Sequence, residues 1–300
     1  MRVLVTGASG HIGSAVVPEL LSAGHEVVGL ARSDASAAII ENYGAEPLRG
    51  DIDDLDGLQK AAATSDGVIH LAFKHELGDL QAAGVIDCGV VAAIGDALEG
   101  TDKPFVSTSG TLLLAFAAPG RLGTELDVAP GGMARIEAEN AVIAMAERGV
   151  RSSVVRLSPL VHSSLDHHGF AHILIDIARR NGVAGYVGDG SNRWPACNTY
   201  DAARLYRLAL ESAPAGTRLH GVESEGYPFR DIAAVIGNRL GVPTQSIPAE
   251  DISLGHFDFL GPLVGIDNPT SNTLTREILG WEPTHVGLLE DLEQGHYFAS

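Results

Sequence analysis

The stretch Thr6-Gly7-Ala8-Ser9-Gly10-His11-Ile12-Gly13 sets three glycines at intervals of three, directly after the apolar run Val3-Leu4-Val5. Gly7 permits a tight turn, Gly10 lets a pyrophosphate approach the backbone, and Gly13 allows a following helix to pack closely. Free N–H groups at the start of that helix, with its partial positive charge, favour an anion. The position of the motif between strand and helix is the context that separates a dinucleotide turn from a merely structural one. Gly7, Ser9, Gly10, His11, Ile12 and Gly13 are therefore assigned to cofactor binding. The next chemical signal is Gly29-Leu30-Ala31-Arg32-Ser33, where an acid would accept hydrogen bonds from adenosine ribose hydroxyls and repel a 2′-phosphate. Ala31 stands there instead, and Arg32 and Ser33 suit a phosphate dianion. The expected cofactor is NADP(H) rather than NAD(H); a solvated arginine at a strand end is the plainer alternative.

These residues need elements to hold them. Short β-branched runs at 3–5, 26–30, 45–49, 67–71, 104–108 and 153–157 alternate with helical stretches at 11–23, 34–42, 54–63, 78–99 and 132–148. Uninterrupted apolar strands separated by helices indicate a parallel sheet covered on both faces. The expected fold is α/β, a Rossmann-type doubly wound sheet over residues 1–160, extended by later segments. Residues 161–300 read as a smaller mixed α/β substrate lobe. There, helices are expected at 169–181, 200–212 and 228–240, with a turn-rich stretch at 185–192 and a strand at 218–223. Ser271 is placed to cap a helix over 272–279 that Gly280 ends.

At this point the chain resembles the extended short-chain dehydrogenase/reductase superfamily, of the NAD-dependent epimerase/dehydratase type. The likeness rests on Thr6–Gly13, Gly50-Asp51-Ile52, His70-Leu71-Ala72-Phe73, Val106-Ser107-Thr108-Ser109 and Arg156-Leu157-Ser158-Pro159. Gly185–Gly190, Asp201–Arg204 and Leu279-Gly280-Trp281-Glu282-Pro283 extend it towards the C-terminus. The resemblance implies that Asp51 and Ile52 flank an adenine, that Leu71, Ala72 and Phe73 line the middle of the cofactor, and that Pro159 and Leu160 touch its nicotinamide end. It also implies a homodimer through the fourth and fifth helices.

The superfamily's usual proton transfer uses Tyr-x-x-x-Lys, in which the lysine holds the nicotinamide ribose and lowers the tyrosine's pKa. No such pattern exists in this sequence. Matching Ala138–Val142 and Arg148–Arg151 to the end of the usual helix puts Gly131 at the tyrosine position and Arg135 at the lysine position. Arg135 can donate to ribose hydroxyls; Gly131 has no proton to transfer. The chain thus looks like an atypical member. Candidates for the catalytic work are Ser109, which matches the superfamily's serine with Thr111 as neighbour, together with His75, His168 and Tyr200. Each has a structural alternative: a Ser/Thr-rich turn, surface histidines, and a packed tyrosine in the first turn of a helix. The triplet Asp166-His167-His168 is not read as a metal site, because adjacent residues rarely converge on one ion.

Composition narrows the partners. With 38 acidic and 20 basic residues the formal net charge is −18, which disfavours nucleic acid and anionic membrane surfaces. Charged residues are expected to interrupt every apolar run before membrane-spanning length. Cys88 and Cys197 form no CxxC pair and read as free thiols in a cytoplasmic setting. Three functions stay open: an NADP(H)-dependent oxidoreductase reducing a small carbonyl or imine substrate with a non-standard proton donor; a non-catalytic NADP(H)-binding sensor or partner subunit; and, ranked last because it leans on the tyrosine base, the nucleotide-sugar epimerase or dehydratase chemistry that the resemblance implies.

Overall fold

The computed structural model describes residues 1–74 and 79–298. Four strand–helix units open the chain: β1 (Arg2–Thr6), α1 (Gly13–Ser22), β2 (Glu26–Ala31), α2 (Asp34–Asn42), β3 (Glu46–Arg49), α3 (Leu55–Ala63), β4 (Gly67–His70) and α4 (Leu80–Leu98). After them come β5 (Pro104–Gly110), the short α5 (Leu114–Ala117), α6 (Ala134–Ala144), β6 (Arg151–Leu157) and β7 (Leu160–His162). The chain continues through α7 (Phe170–Asn181), β8 (Ala184–Val187), β9 (Arg193–Trp194), β10 (Ala196–Asn198), α8 (Thr199–Ser212) and β11 (Thr217–Gly221). It closes with β12 (Tyr227–Pro228), α9 (Phe229–Leu240), β13 (Thr244–Ile247), α10 (Ala249–Ser253), α11 (Thr273–Leu279) and α12 (Leu288–Gln294).

The main sheet has seven strands in the order β11-β6-β5-β4-β1-β2-β3, and every pair in it is parallel. Alternation along the strands feeds two layers of core. Val3 and Val5 join Val16, Leu20, Tyr206 and Leu210 on the face covered by α1 and α8. Leu4 joins Leu58, Val90, Ile94 and Val142 on the face covered by α3, α4 and α6. Burial on both faces explains why these strands read as continuous apolar runs. Because the strand order reverses between β1 and β4, a crevice opens beyond their carboxyl ends.

A third core, containing Leu174, Ile175, Trp194, Phe229, Ile232, Phe257 and Leu260, belongs to the C-terminal lobe. Three small sheets brace it: β7 with β10, β8 with β13, and β9 with β12. The lobe is not a single continuous piece of chain. The strand expected at 218–223 spans 217–221 and is the outer strand of the main sheet, paired with β6.

Several expectations change. The stretch at 185–192 holds more than turns, since β8 pairs with β13 across 60 residues of sequence from Ala184 to Thr244. The helix expected from 132 starts at Ala134, and Met145–Arg148 continues it as a tighter 3-10 turn. Helix α4 is, by length and composition alone, long and apolar enough to cross a membrane, contrary to the expectation that charges interrupt every such run. Its only charged residues are Asp87 and Asp96, and it lies between α3 and α6. The C-terminal helix begins one residue later than expected, at Thr273, with Asn272 in the cap position; the Ser271 hydroxyl still accepts from the N–H of Thr273 at 3.1 Å, and Gly280 ends α11 in the left-handed conformation, as expected.

The lobe is pinned by a buried ion cluster. His162 is fully buried, with Nδ1 2.8 Å from Asp291 and Nε2 3.0 Å from Glu223. Burial alone would depress its pKa, but the two carboxylates outweigh that and raise it to about 9. A raised folded-state value means that stabilisation is complete below the ordinary histidine pKa of 6.5 and is lost as pH climbs through about 9. Urea unfolding at several pH values is expected to show stability falling across that window, and His162→Gln is expected to flatten the decline while lowering stability at pH 6.

Candidate functional site

The glycine turn sits at the reversal point of the sheet. Gly7 has a φ of 70°, and a Cβ there would come within 2.8 Å of the Ala72 nitrogen, so the segment after β4 crosses directly over it. A Cβ on Gly13 would meet the carbonyl oxygens of Gly7 at 2.2 Å and Ala8 at 2.5 Å. Gly13 is thus required by the turn's own carbonyls, not by helix packing on the strand as expected. Gly10 stays exposed, and the ten-residue α1 follows. A backbone cradle without side chains, facing a helix N-terminus, fits a pyrophosphate.

Beneath the turn runs a chain of buried polar groups. The Thr6 hydroxyl accepts from the N–H groups of Leu71 and Ala72, each at 3.2 Å, so its single proton goes to His70 Nδ1 at 2.6 Å. The opposite ring nitrogen, His70 Nε2, is then the donor to Asp87 at 2.9 Å. The second oxygen of Asp87 takes Arg135 at 2.5 Å, and that guanidinium lies over the Phe73 ring, 4.5 Å from its centroid. Burial pushes the Asp87 carboxyl up, but the hydrogen bond from His70 and the charge of Arg135 hold it below the usual carboxylate value. Arg135 thus stands half-buried beside Phe73, with Asp87 holding one of its nitrogens. The sequence assigned no role to His70, named only as part of the segment 70–73, and none to Asp87. The available signals were a histidine closing an apolar strand and a lone acid inside an apolar helix.

At the end of β2, Ala31 is buried and Arg32 is exposed. Ser33 is the N-cap of α2, its hydroxyl accepting from the Ser36 N–H at 3.1 Å; its first role is therefore local. Asp51 is half-buried beside Lys74 at 3.8 Å. Ile52, expected against an adenine, is only 9% exposed and packs in the main core with Leu58 and Val28. Leu71, Ala72 and Phe73 are half-buried along the crevice. Ser9, His11, Ile12 and Pro159 are half-buried as well. Leu160, expected at the nicotinamide end, is 1% exposed and packs within the lobe's core.

The described catalytic candidates lie on different elements: Ser109 on β5, His168 on the loop before α7 and Tyr200 on α8. Ser109 is 5% exposed; its hydroxyl lies beside the Glu139 carboxylate and helps to keep it ionised, short of a normal hydrogen bond. Burial would raise Glu139, but Arg156 and Arg218 outweigh it and hold the pKa at about 2. Ser109 faces this buried ion cluster, because alternate residues of β5 point to α6. His168 is exposed on the loop before α7, its N–H donating to Asp166. Tyr200, at the start of α8, is 42% exposed and stacks on His285. His75 lies outside the described residues. Gly131 precedes α6 and is not on its face, so the tyrosine position has no helical support. Thr111 is fully buried and accepts from Asn268. Among the described residues no cluster of histidine, cysteine, aspartate and glutamate is arranged to hold a metal ion.

A seven-stranded parallel sheet with a glycine cradle at its reversal point defines a Rossmann-type NAD(P)-binding protein. The model of the NAD dependent epimerase/dehydratase family matches residues 3–220, and the chain belongs to that family. It is 46% identical over 299 residues to an uncharacterized protein of Schizosaccharomyces pombe, covering 99% of this chain and 100% of that one. It is 29% identical over 267 residues to 2′-dehydrokanamycin reductase of Streptomyces kanamyceticus, covering 83% of this chain and 70% of the relative. Its fold is similar to the crystal structure of UDP-glucose 4-epimerase from Thermotoga maritima, with a TM-score of 0.77, 20% identity and coverage of 99% and 98% of the two chains. Membership supports oxidoreductase chemistry with a nicotinamide cofactor.

Asp87 is the joint of the buried chain. Asp87→Ala removes the acceptor of both His70 and Arg135, and is expected to cost about 2–4 kcal/mol of unfolding free energy in urea titrations.

Proposed function

We propose that the protein is an NADP(H)-dependent oxidoreductase that reduces a small, largely uncharged carbonyl or imine compound. The observation that carries the cofactor choice is the end of β2, where buried Ala31 replaces the ribose-binding acid and Arg32 stands exposed beside it. NADPH supplies the hydride when bound. The protein's part is to bind the diphosphate on the turn after β1, to position the nicotinamide half by the crevice at Arg135 and Phe73, and to deliver a proton.

The usual tyrosine has no counterpart, and Tyr206, which faces the sheet's end, is unsuited to replace it. Its hydroxyl donates to Thr108 at 2.7 Å, because Thr108 spends its own proton on the His70 carbonyl. Full burial pushes its pKa well up. The exposed imidazole of His168, with His75, is the proton donor in this reading. The burial of Ser109 against Glu139 favours the second reading, a protein that binds NADP(H) without turnover.

Fluorescence titration is expected to give tighter binding of NADPH than NADH, and Arg32→Ala to reduce that preference about tenfold, the worth of one charge-assisted hydrogen bond. Equal affinity in the wild type contradicts the NADP(H) choice. NADPH oxidation against a panel of ketones, aldehydes and imines is expected to show turnover that His168→Gln or His75→Gln slows by about a hundredfold, the worth of one positioned proton donor. Tight binding without turnover supports the sensor.

The outward faces of α4 and α6 expose Val85, Ala92, Ala141 and Ala144. Through them we propose a homodimer. Size-exclusion chromatography over a range of concentrations is expected to give twice the 31.3 kDa chain mass.

A further inference from the structure

The His11 side chain ties the dinucleotide turn to the start of α8 and the loop before α7. His11 projects from the turn with its Nε2 2.9 Å from the Thr199 hydroxyl, at the start of α8. Its Nδ1 is 3.8 Å from Asp166, in the loop between β7 and α7. The direction of the first contact can be worked out. The Thr199 hydroxyl donates its only proton to the His162 carbonyl at 3.1 Å and accepts from Ser163 at 2.9 Å. His11 Nε2 must therefore be the donor to Thr199. In the neutral ring, the Nδ1 lone pair is left facing a carboxylate.

Asp166 is fixed in that position. Its Oδ1 accepts from the N–H groups of His168 and Gly169 at 3.2 and 2.6 Å, and Tyr297 donates to its Oδ2 at 3.1 Å. The remaining charges around His11 are imidazoles: His167 on the same loop, His162 at the end of β7 and His172 on α7. Burial, followed by these neighbours, lowers the His11 pKa against the pull of Asp166. The ring is thus neutral near pH 7 but lies beside an acceptor for a second proton.

The turn 6–13 contains no lysine or arginine, in a chain of net charge −18. A diphosphate brought to this turn adds negative charge within the same few residues. We propose that the His11 side chain, and not only the backbone of its turn, belongs to the dinucleotide site: it takes a proton from solvent as the dinucleotide binds, and the resulting imidazolium pairs with Asp166. This rests on the dinucleotide reading above and adds a protonation step to it. Binding then tightens as pH falls and weakens as pH rises through the His11 pKa. The same step ties occupancy of the turn to the loop that carries His168.

The test is calorimetric titration of the full chain with NADPH in two buffers of different ionisation enthalpy, which gives the protons taken up per dinucleotide bound. The comparison is wild type with His11→Gln, which keeps a donor for Thr199 but does not titrate. Subtracting the variant cancels any proton exchanged by the 2′-phosphate itself. The expected difference is about half a proton at pH 7, with wild-type Kd weakening about threefold to tenfold from pH 6 to 8 and a smaller change in the variant. Equal proton uptake by the two proteins overturns the inference while leaving dinucleotide binding intact. A wild type that binds neither NADPH nor NADH overturns both the inference and the functional reading beneath it. Nuclear magnetic resonance titration of the wild-type imidazoles gives a check independent of the variant's folding: the His11 pKa is expected to rise on adding NADPH, and an unchanged value refutes the proposal.

Discussion

The polar chain from Thr6 through His70 and Asp87 to Arg135 is the constraint on which the rest of the site depends. It joins the ends of β1 and β4 to α4 and α6, four elements that the sequence separates by as much as 129 residues, from Thr6 to Arg135. Each member is satisfied on both sides, which is what makes a buried polar chain tolerable in a low-dielectric interior. Its geometry decides where the segment 71–73 crosses the glycine turn and where Arg135 meets the crevice. Without Asp87, the ring of His70 and the guanidinium would have no common acceptor.

Charge serves two purposes in this protein. Several arginines are committed to acids of their own chain: Arg156 and Arg218 to Glu139 inside the fold, Arg193 to Asp267 and Arg207 to Glu19 nearer the surface. Such pairs fix geometry, and their partly exposed members contribute little stability. The negative balance that disfavours polyanionic partners also leaves the glycine turn to bind an anion through backbone dipoles. On our reading, Arg32, Arg135 and His11 supply local positive charge at the site.

The histidines illustrate how one residue type takes opposite states in neighbouring places. His162, between two carboxylates, is held protonated; His220, fully buried beside Arg156, is driven down to about 3. His220 Nδ1 donates to the Ser271 carbonyl at 2.7 Å while Nε2 accepts from Arg156 at 3.3 Å, the pattern of a neutral ring. His11 lies between these extremes, with a donor bond to Thr199 on one side and a carboxylate on the other.

The sequence by itself determined the alternation of strands and helices, the glycine turn, the missing acid after β2 and the absence of Tyr-x-x-x-Lys. All of these are local: they depend on periodicity, on residues without side chains, or on a short spacing. The β8–β13 pairing escaped it because a short strand among glycines has no period strong enough to read. The shortened start of α6, the burial of Ser109 against Glu139, and the loss of Ile52 and Leu160 into cores were decided only by tertiary packing. So was the chain Thr6–His70–Asp87–Arg135. Local pattern gives the face of an element, whereas the partner across 64 or 48 residues, as for Thr6 with His70 and Asp87 with Arg135, is chosen by how the elements stack. Buried polar groups must then find one another there, because water is absent.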